Sequence, residues 1–139
     1  MILVPTDGSK TAKDAATHAV NLALKFDGKI IAVYIIDSRF ETTFKEMETQ
    51  SHVFKLQQRK IGEGYVQEVL DIARKAGVQA LSIVREGIPA DEIVKIAEEN
   101  NVDLIVMGTR GLTGARRALL GSTADQVIRW APCPVMVVK

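Results

Sequence analysis

Short apolar runs alternate along the chain with longer segments in which apolar residues recur at helical spacing. Runs rich in valine, isoleucine and leucine predict five strands, over residues 1–4, 29–36, 78–85, 102–107 and 134–139. The segments between them predict four helices, over residues 10–26, 53–76, 89–100 and 122–130. Gly62 and Gly64 predict a bend or a late start in the second helix. Residues 38–51 are polar without a clear period, which predicts a mobile connection or lid.

The regular alternation of strands and helices predicts one α/β domain over residues 1–139, an open parallel five-stranded sheet with helices on both faces. Because crossover connections are right-handed, few strand orders are possible, and we expect 3-2-1-4-5. The third strand alternates more than the second, which favours a position near an edge. In this order the first and fourth strands are neighbours. A switch point, where open α/β sheets bind ligands, then lies between the turn at Asp7 and the turn at Gly108.

A glycine-rich run, residues 106–123, joins the fourth strand to the last helix. Glycines at 108, 111 and 121 let the backbone turn tightly and approach a ligand. Ser122 is the predicted N-cap of the helix, with Asp125 completing a capping-box pattern. A helix N-terminus behind such a turn binds anions, and the run contains no acid but three arginines, Arg110, Arg116 and Arg117. The pattern predicts a phosphate site, although similar turns also occur without a ligand.

Composition excludes several classes of site. A net charge of +1 gives no argument for nucleic acid or an anionic membrane as a partner. The single cysteine, Cys133, excludes an internal disulfide, and with two distant histidines, His18 and His52, a zinc site is not expected. The chain starts directly with Met-Ile-Leu-Val-Pro, and no apolar run is long enough to span a bilayer. We therefore expect a soluble, cytoplasmic protein.

Catalytic residues are not recognisable in the sequence. There is no nucleophile with a base, no pair of carboxylates, no Walker lysine after the glycines and no dinucleotide fingerprint. Asp7 either forms a turn or binds a ligand at the switch point. Arg116 and Arg117 are either solvated charges or contacts to phosphate or a partner. Cys133, between two prolines, is typical of a small core residue.

Six motifs spread over the whole chain give it a strong resemblance to the universal stress protein family. They are V-P-T-D-G-S at 4–9, Y-I-I-D at 34–37, G-I-P-A-D-E-I at 87–93, V-D-L-I-V-M-G-T-R-G at 102–111, G-A-R-R-A-L-L-G-S-T at 114–123 and A-P-C-P-V-M-V-V at 131–138. The nucleotide-binding branch of that family has two glycines separated by two residues, then nine residues, then Gly-Ser or Gly-Thr. Gly108, Gly111, Gly121 and Ser122 reproduce this spacing without a gap.

The resemblance implies an ATP site and the same strand order. At the nucleoside end, Pro5, Thr6 and Asp7 would line the floor with Asp7 near the ribose, Ile35 would offer backbone groups to adenine, and Met107 would pack against the adenosine. The remaining site residues come from the glycine-rich run: Gly108, Arg110 and Gly111 beside the ribose and phosphates, and Gly121, Ser122 and Thr123 around the phosphates. Mg²⁺ or Mn²⁺ would accompany the nucleotide, held mainly through phosphate oxygens. The resemblance also implies a homodimer joined through residues 134–139, which would otherwise form a bare sheet edge.

Three functions remain open on this basis. The expected one is an ATP-binding stress-response or signalling module with at most slow hydrolysis, in which the nucleotide stabilises the dimer and the 38–51 connection. The second is a genuine metal-dependent ATPase or an adenylate-processing hydrolase that uses Asp7. The third is a dimeric stress scaffold without nucleotide. ATP is not distinguished from ADP or AMP, because backbone contacts to the base leave little side-chain record.

Overall fold

Five parallel strands form one sheet, with a helix between each strand and the next. The structure is a computed structural model that describes residues 1–39, 48–109 and 120–139. The strands are β1 (Ile2–Pro5), β2 (Ile30–Asp37), β3 (Ala80–Gly87), β4 (Leu104–Gly108) and β5 (Val135–Val138). The helices are α1 (Lys10–Phe26), α2 (Glu48–Lys75), α3 (Pro89–Glu99) and α4 (Ser122–Trp130). The predicted elements are all present, with bounds that differ by a few residues.

The strand order is β3-β2-β1-β4-β5, as the sequence predicts. Strand β1 pairs with β2 on one side and β4 on the other, and all four of its residues are buried. Strands β3 and β5 form the two edges, which confirms the expected position of β3. The carboxyl ends of β1, β2 and β4 therefore meet along one side of the sheet.

Two helices cover each face of the sheet. Alternation along β1 turns Val4 into the core beneath α1 and α2, and Leu3 into the core beneath α3 and α4. Helix α1 presents small side chains to the sheet, which lets its backbone lie close to the strands: Ala12, Ala15, Ala16, Ala19 and Ala23 are all buried. None of the described helices combines the length and the apolar character needed to cross a bilayer.

Helix α2 differs from the sequence prediction. It begins at Glu48 rather than at 53 and is one continuous helix to Lys75 through Gly62 and Gly64, so the expected late start is wrong. The tertiary contact explains why: the ring of Tyr34 packs so closely against Gly62 that a Cβ there would overlap it. Such packing offsets the low helix propensity of glycine. Of the predicted 38–51 connection, residues 48–51 are helical and residues 40–47 lie outside the described chain.

Candidate functional site

A cavity of about 500 Å³ opens at the carboxyl ends of β1, β2 and β4, against the first turns of α3 and α4. It lies at the switch point predicted from the strand order. Its lining comes from five separate segments: Pro5, Thr6, Asp7, Ser9 and Ala12; Val33, Tyr34 and Ile35; Pro89 and Ile93; Met107, Gly108 and Thr109; and Leu120, Gly121, Ser122, Thr123 and Ala124. The volume suits a small organic ligand, since such pockets typically measure roughly 300–1,000 Å³.

The predicted site residues that the structure describes all line this cavity. They are Pro5, Thr6, Asp7, Ile35, Met107, Gly108, Gly121, Ser122 and Thr123. Arg110, Gly111, Arg116 and Arg117 lie outside the described residues. The structure thus brings together segments from both halves of the chain, while the role of each residue toward a ligand stays a prediction.

The turn between β1 and α1 is held by its own side chains. The Gly8 amide donates to Thr6 Oγ1 at 3.2 Å, and the Ser9 amide donates to Asp7 Oδ1 at 2.9 Å. Gly8 has φ +80°, in the left-handed region that glycine adopts without strain. Ser9 Oγ caps α1 by accepting from the Ala12 amide at 3.3 Å. Asp7 is therefore a turn former, as one of the two interpretations held, and the same turn places it at the cavity.

The packing of α1 against β4 requires a glycine at position 108, which the sequence alone did not reveal. A Cβ at this position would lie 2.5 Å from Thr11 Oγ1 and 2.9 Å from the Ala12 amide nitrogen. The end of β4 and the first turn of α1 therefore lie too close for any side chain. The sequence assigned this glycine to the approach of a ligand, and the structure adds that it is needed for the helix to pack on the sheet.

The first turn of α4 faces the cavity. Gly121 is the N-cap, with φ −63° and ψ 154°, and it makes no side-chain cap bond. The prediction that Ser122 is the N-cap is wrong, because the chain enters the helix one residue earlier and Ser122 is its first helical residue. The first bond within the helix runs from the Asp125 amide to Gly121 O at 2.9 Å. The amides of Ser122, Thr123 and Ala124 precede that bond and lie where a helix N-terminus attracts anions.

Two backbone bonds tie this helix start to the sheet. The Gly121 amide donates to Thr109 O at 2.7 Å, and the Thr109 amide donates to Val138 O at 3.0 Å. The chain that leaves β4 at Thr109 thus returns beside it at Gly121. The end of β4, the start of α4 and the end of the edge strand β5 are fixed relative to one another.

Apolar side chains from β2, α3 and β4 also line the cavity. Val33 and Ile35 come from β2, Pro89 and Ile93 from α3, and Met107 from β4. Sequence reasoning missed the two α3 residues as site residues. The available signal was topological: the first turn of a helix that follows an edge strand lies at the same side of the sheet as the glycine-rich run.

The sequence model described as "Universal stress protein family" matches residues 1–139. The chain belongs to the universal stress protein family. It is 44% identical over 141 aligned residues to universal stress protein MJ0531 of Methanocaldococcus jannaschii, covering 99% of this chain and 81% of the relative. The family predicted from the motifs is therefore confirmed.

Solved structures of similar chains share the fold. The structure of hypothetical protein MJ0577 has a TM-score of 0.88 and 34% identity, with 99% of this chain and 94% of that chain covered. A universal stress protein crystallised in complex with cAMP has a TM-score of 0.71 and 26% identity, with 99% and 95% covered. The predicted strand order and doubly covered sheet are those of the family.

Polar and charged side chains on and after β2 of this universal stress protein are paired. The Tyr34 hydroxyl donates to Gln58 Oε1 at 3.1 Å. Burial, followed by the nearby Tyr65, Asp7 and Asp37, raises the pKa of Tyr34, so the phenol stays protonated. At the end of β2, the hydrogen bond from the Arg39 guanidinium, 2.6 Å from Asp37 Oδ2, lowers the pKa of Asp37.

The part of this universal stress protein that the structure describes contains no cluster of metal-binding side chains. Across residues 1–39, 48–109 and 120–139, no group of three or more His, Cys, Asp or Glu side chains is arranged to hold a metal ion. His18 and His52 are exposed. Cys133 is a free, half-buried thiol whose pKa is raised by burial and by Asp103.

Proposed function

We propose that this universal stress protein binds ATP in the cavity at the carboxyl ends of β1, β2 and β4, and acts in the cytoplasm as a nucleotide-dependent stress-response or signalling module. The observation that carries the proposal is the chemical division of the cavity. Its lining combines apolar side chains from β2, α3 and β4, the carboxylate turn after β1, and a helix N-terminus behind a glycine. An adenine nucleotide has the same three parts: an apolar ring, a sugar with hydroxyls, and a chain of anionic phosphates.

The adenine ring is assigned to the apolar wall. Ile35 and Val33 on β2, Met107 on β4 and Pro89 and Ile93 on α3 provide flat aliphatic contacts. Backbone groups of Ile35 would bond the base edge, and Asp7 would bond the ribose hydroxyls. The complex of a relative with cAMP supports an adenine nucleotide as the ligand class.

The phosphates are assigned to the start of α4. The amides of Ser122, Thr123 and Ala124 precede the first bond of the helix, and the helix dipole adds partial positive charge there. The hydroxyls of Ser122 and Thr123 would add bonds. Arg110 and Gly111 remain predicted phosphate contacts from the sequence. Mg²⁺ or Mn²⁺ fits the site only as a partner of the phosphates, with Asp7 as the nearby carboxylate, and would neutralise phosphate charge there.

Slow turnover follows from the residues that line the cavity. Among the described lining residues, Asp7 is the one carboxylate, and its Oδ1 already accepts the Ser9 amide. The described lining contains no lysine or histidine. The described lining thus offers ATP no strong base to activate water, so binding rather than hydrolysis is the proposed activity.

A homodimer through residues 134–139 is part of the proposal. Strand β5 is an edge of the sheet with four apolar residues, and Met136 is 38% exposed. An apolar edge strand of this kind favours pairing with another strand. Because the Thr109 amide bonds Val138 O, the dimer edge and the phosphate end of the cavity adjoin.

The nucleotide released from the purified protein tests the proposal. The protein is denatured, and the released nucleotide is identified and quantified. Stoichiometric intact ATP supports the binding module, whereas ADP or AMP with turnover of added ATP supports the alternative, an ATPase or adenylate-processing hydrolase. Absence of nucleotide, together with no thermal shift in millimolar ATP, contradicts both and leaves the scaffold.

A further inference from the structure

Two tyrosine–glycine contacts pack helix α2 against two segments that line the cavity, the β1–α1 turn and the end of β2. The ring of Tyr65 packs against Gly8 and the ring of Tyr34 packs against Gly62, in both cases so closely that a Cβ on the glycine would overlap the ring. The two rings also contact each other edge to face, with centroids 5.9 Å apart and an interplanar angle of 60°. These are the two tyrosines of the chain.

The contact at Gly8 lies inside the turn that carries Asp7. Gly8 follows Asp7 directly, and its amide and that of Ser9 make the two bonds that shape the turn. The Tyr65 ring therefore contacts the backbone at Gly8, between Asp7 and the α1 cap residue Ser9. Three residues farther along α2, Glu68 Oε2 lies 3.7 Å from Lys13 Nζ in the first turn of α1, which brings the same stretch of α2 to the start of α1.

The contact at Gly62 anchors the ring pair to the other side of the cavity floor. Tyr34 belongs to β2 and precedes Ile35. Its hydroxyl donates a hydrogen bond to Gln58 Oε1, and Gln58 lies one turn before Gly62 on α2. Helix α2 thus packs against the end of β2 through Tyr34 and against the β1–α1 turn through Tyr65. Tyr65 is not among the residues that line the cavity, so any influence on a ligand passes through its contacts with Gly8 and with Tyr34.

We propose that Tyr65 is a positioning residue, through which α2 holds the Asp7–Ser9 turn in the geometry that binds the ribose of a nucleotide. This inference rests on the proposed function for its ligand. Because coupling between two equilibria is reciprocal, a bound nucleotide that fixes the turn also fixes α2 against it. The helix that follows the 40–47 segment thereby responds to occupancy of the cavity.

Three variants separate this role from general loosening of the core. Tyr65→Ala removes the ring, Tyr65→Phe keeps it, and Val69→Ala removes buried volume one turn farther along α2. Amide hydrogen exchange at Gly8 and Ser9 is measured without ligand, and ATP affinity is measured by calorimetry. Tyr65→Ala is expected to speed exchange at both amides and to weaken ATP binding about tenfold, as when the competent turn is populated about a tenth of the time.

The controls decide the interpretation. Tyr65→Phe and Val69→Ala are expected to stay within about twofold of the parent in ATP affinity, with Val69→Ala still less stable to urea. If Tyr65→Ala leaves exchange at Gly8 and Ser9 unchanged, or if Val69→Ala weakens ATP binding as much, the positioning role is overturned. Should Tyr65→Ala not fold, Tyr65→Leu is measured in the same way, with the same two criteria.

The ligand-free measurement distinguishes this inference from the proposed function. If the parent binds no ATP, the proposed function fails and the ligand part of this inference fails with it. Faster exchange at Gly8 and Ser9 in Tyr65→Ala would then still support α2 as the element that holds the turn.

Discussion

The substitution Gly108→Ala tests why a glycine ends β4 beside the cavity. The added Cβ would lie 2.5 Å from Thr11 Oγ1, 2.8 Å from the Thr11 carbonyl carbon and 2.9 Å from the Ala12 amide nitrogen. Favourable carbon contacts begin at about 3.5 Å, so roughly 0.6–1 Å of relief is required. The Thr11 hydroxyl can rotate away, but the two backbone atoms belong to the first turn of α1, which is packed through buried alanines.

The expected cost follows from moving that turn. Overpacking of this kind typically costs about 1–3 kcal/mol. For a chain of this size, each kcal/mol lowers the melting temperature by about 3–4 °C, so a decrease of about 3–12 °C is expected. The measurement is urea unfolding and calorimetry of the ligand-free protein, followed by ATP titration of the folded variant.

A matched control separates steric overlap from the general effect of removing a glycine. Gly64 lies within α2 with no atom within 4 Å of the position its Cβ would take. Gly64→Ala is therefore expected to stabilise the protein by about 0.5–1 kcal/mol, with unchanged ATP binding. If ligand-free Gly108→Ala is as stable as the parent and loses only ATP affinity, the packing argument is refuted and the glycine is present for the ligand.

Three further predictions concern the phosphates, the acid side of the stability curve and the dimer. Gly121→Val, at a φ of −63° that valine tolerates, is expected to cost about 0.5–1 kcal/mol in urea unfolding, because valine is a poorer N-cap than glycine, and to weaken ATP binding about tenfold in calorimetry; parental affinity would disprove the phosphate assignment. Arg39 lowers the pKa of Asp37, so their bond stabilises the fold above the ordinary value of 3.8 and is lost as pH falls below it. In Arg39→Ala, the free energy of unfolding is therefore expected to fall less steeply as the pH drops below about 4. An unchanged pH dependence of unfolding would contradict this. Met136→Glu on the edge strand is expected to give monomers in light scattering, and a persistent dimer would place the interface elsewhere.

The strand order could be derived from the sequence because it depends on local signals. Apolar runs give the strands, helical spacing gives the crossovers, and right-handed connections leave few arrangements. The site followed from the order, since the Asp7 turn and the Gly108 turn end neighbouring strands. These inferences needed no knowledge of which atoms touch.

The errors all depend on contacts between distant residues. The uninterrupted course of α2 through Gly62 depends on the ring of Tyr34, and the close approach at Gly108 depends on Thr11. Pro89 and Ile93 line the cavity because α3 packs beside β2, which no local pattern indicates. The α4 cap lies one residue earlier than predicted, at Gly121, whose amide bonds the distant Thr109 O.

The short bond between the Gly121 amide and Thr109 O has a consequence for how the protein can vary. Because the two residues are joined directly, the end of β4 and the start of α4 lie side by side at the two ends of residues 110–119. Closing a loop across fixed ends costs little more free energy as it grows, about 0.6 kcal/mol for each doubling of its length. Insertions, deletions or grafted sequences between Thr109 and Gly121 should therefore leave the core folded. Changes in this segment would then alter the phosphate contacts predicted at Arg110 and Gly111 while the apolar lining residues stay constant.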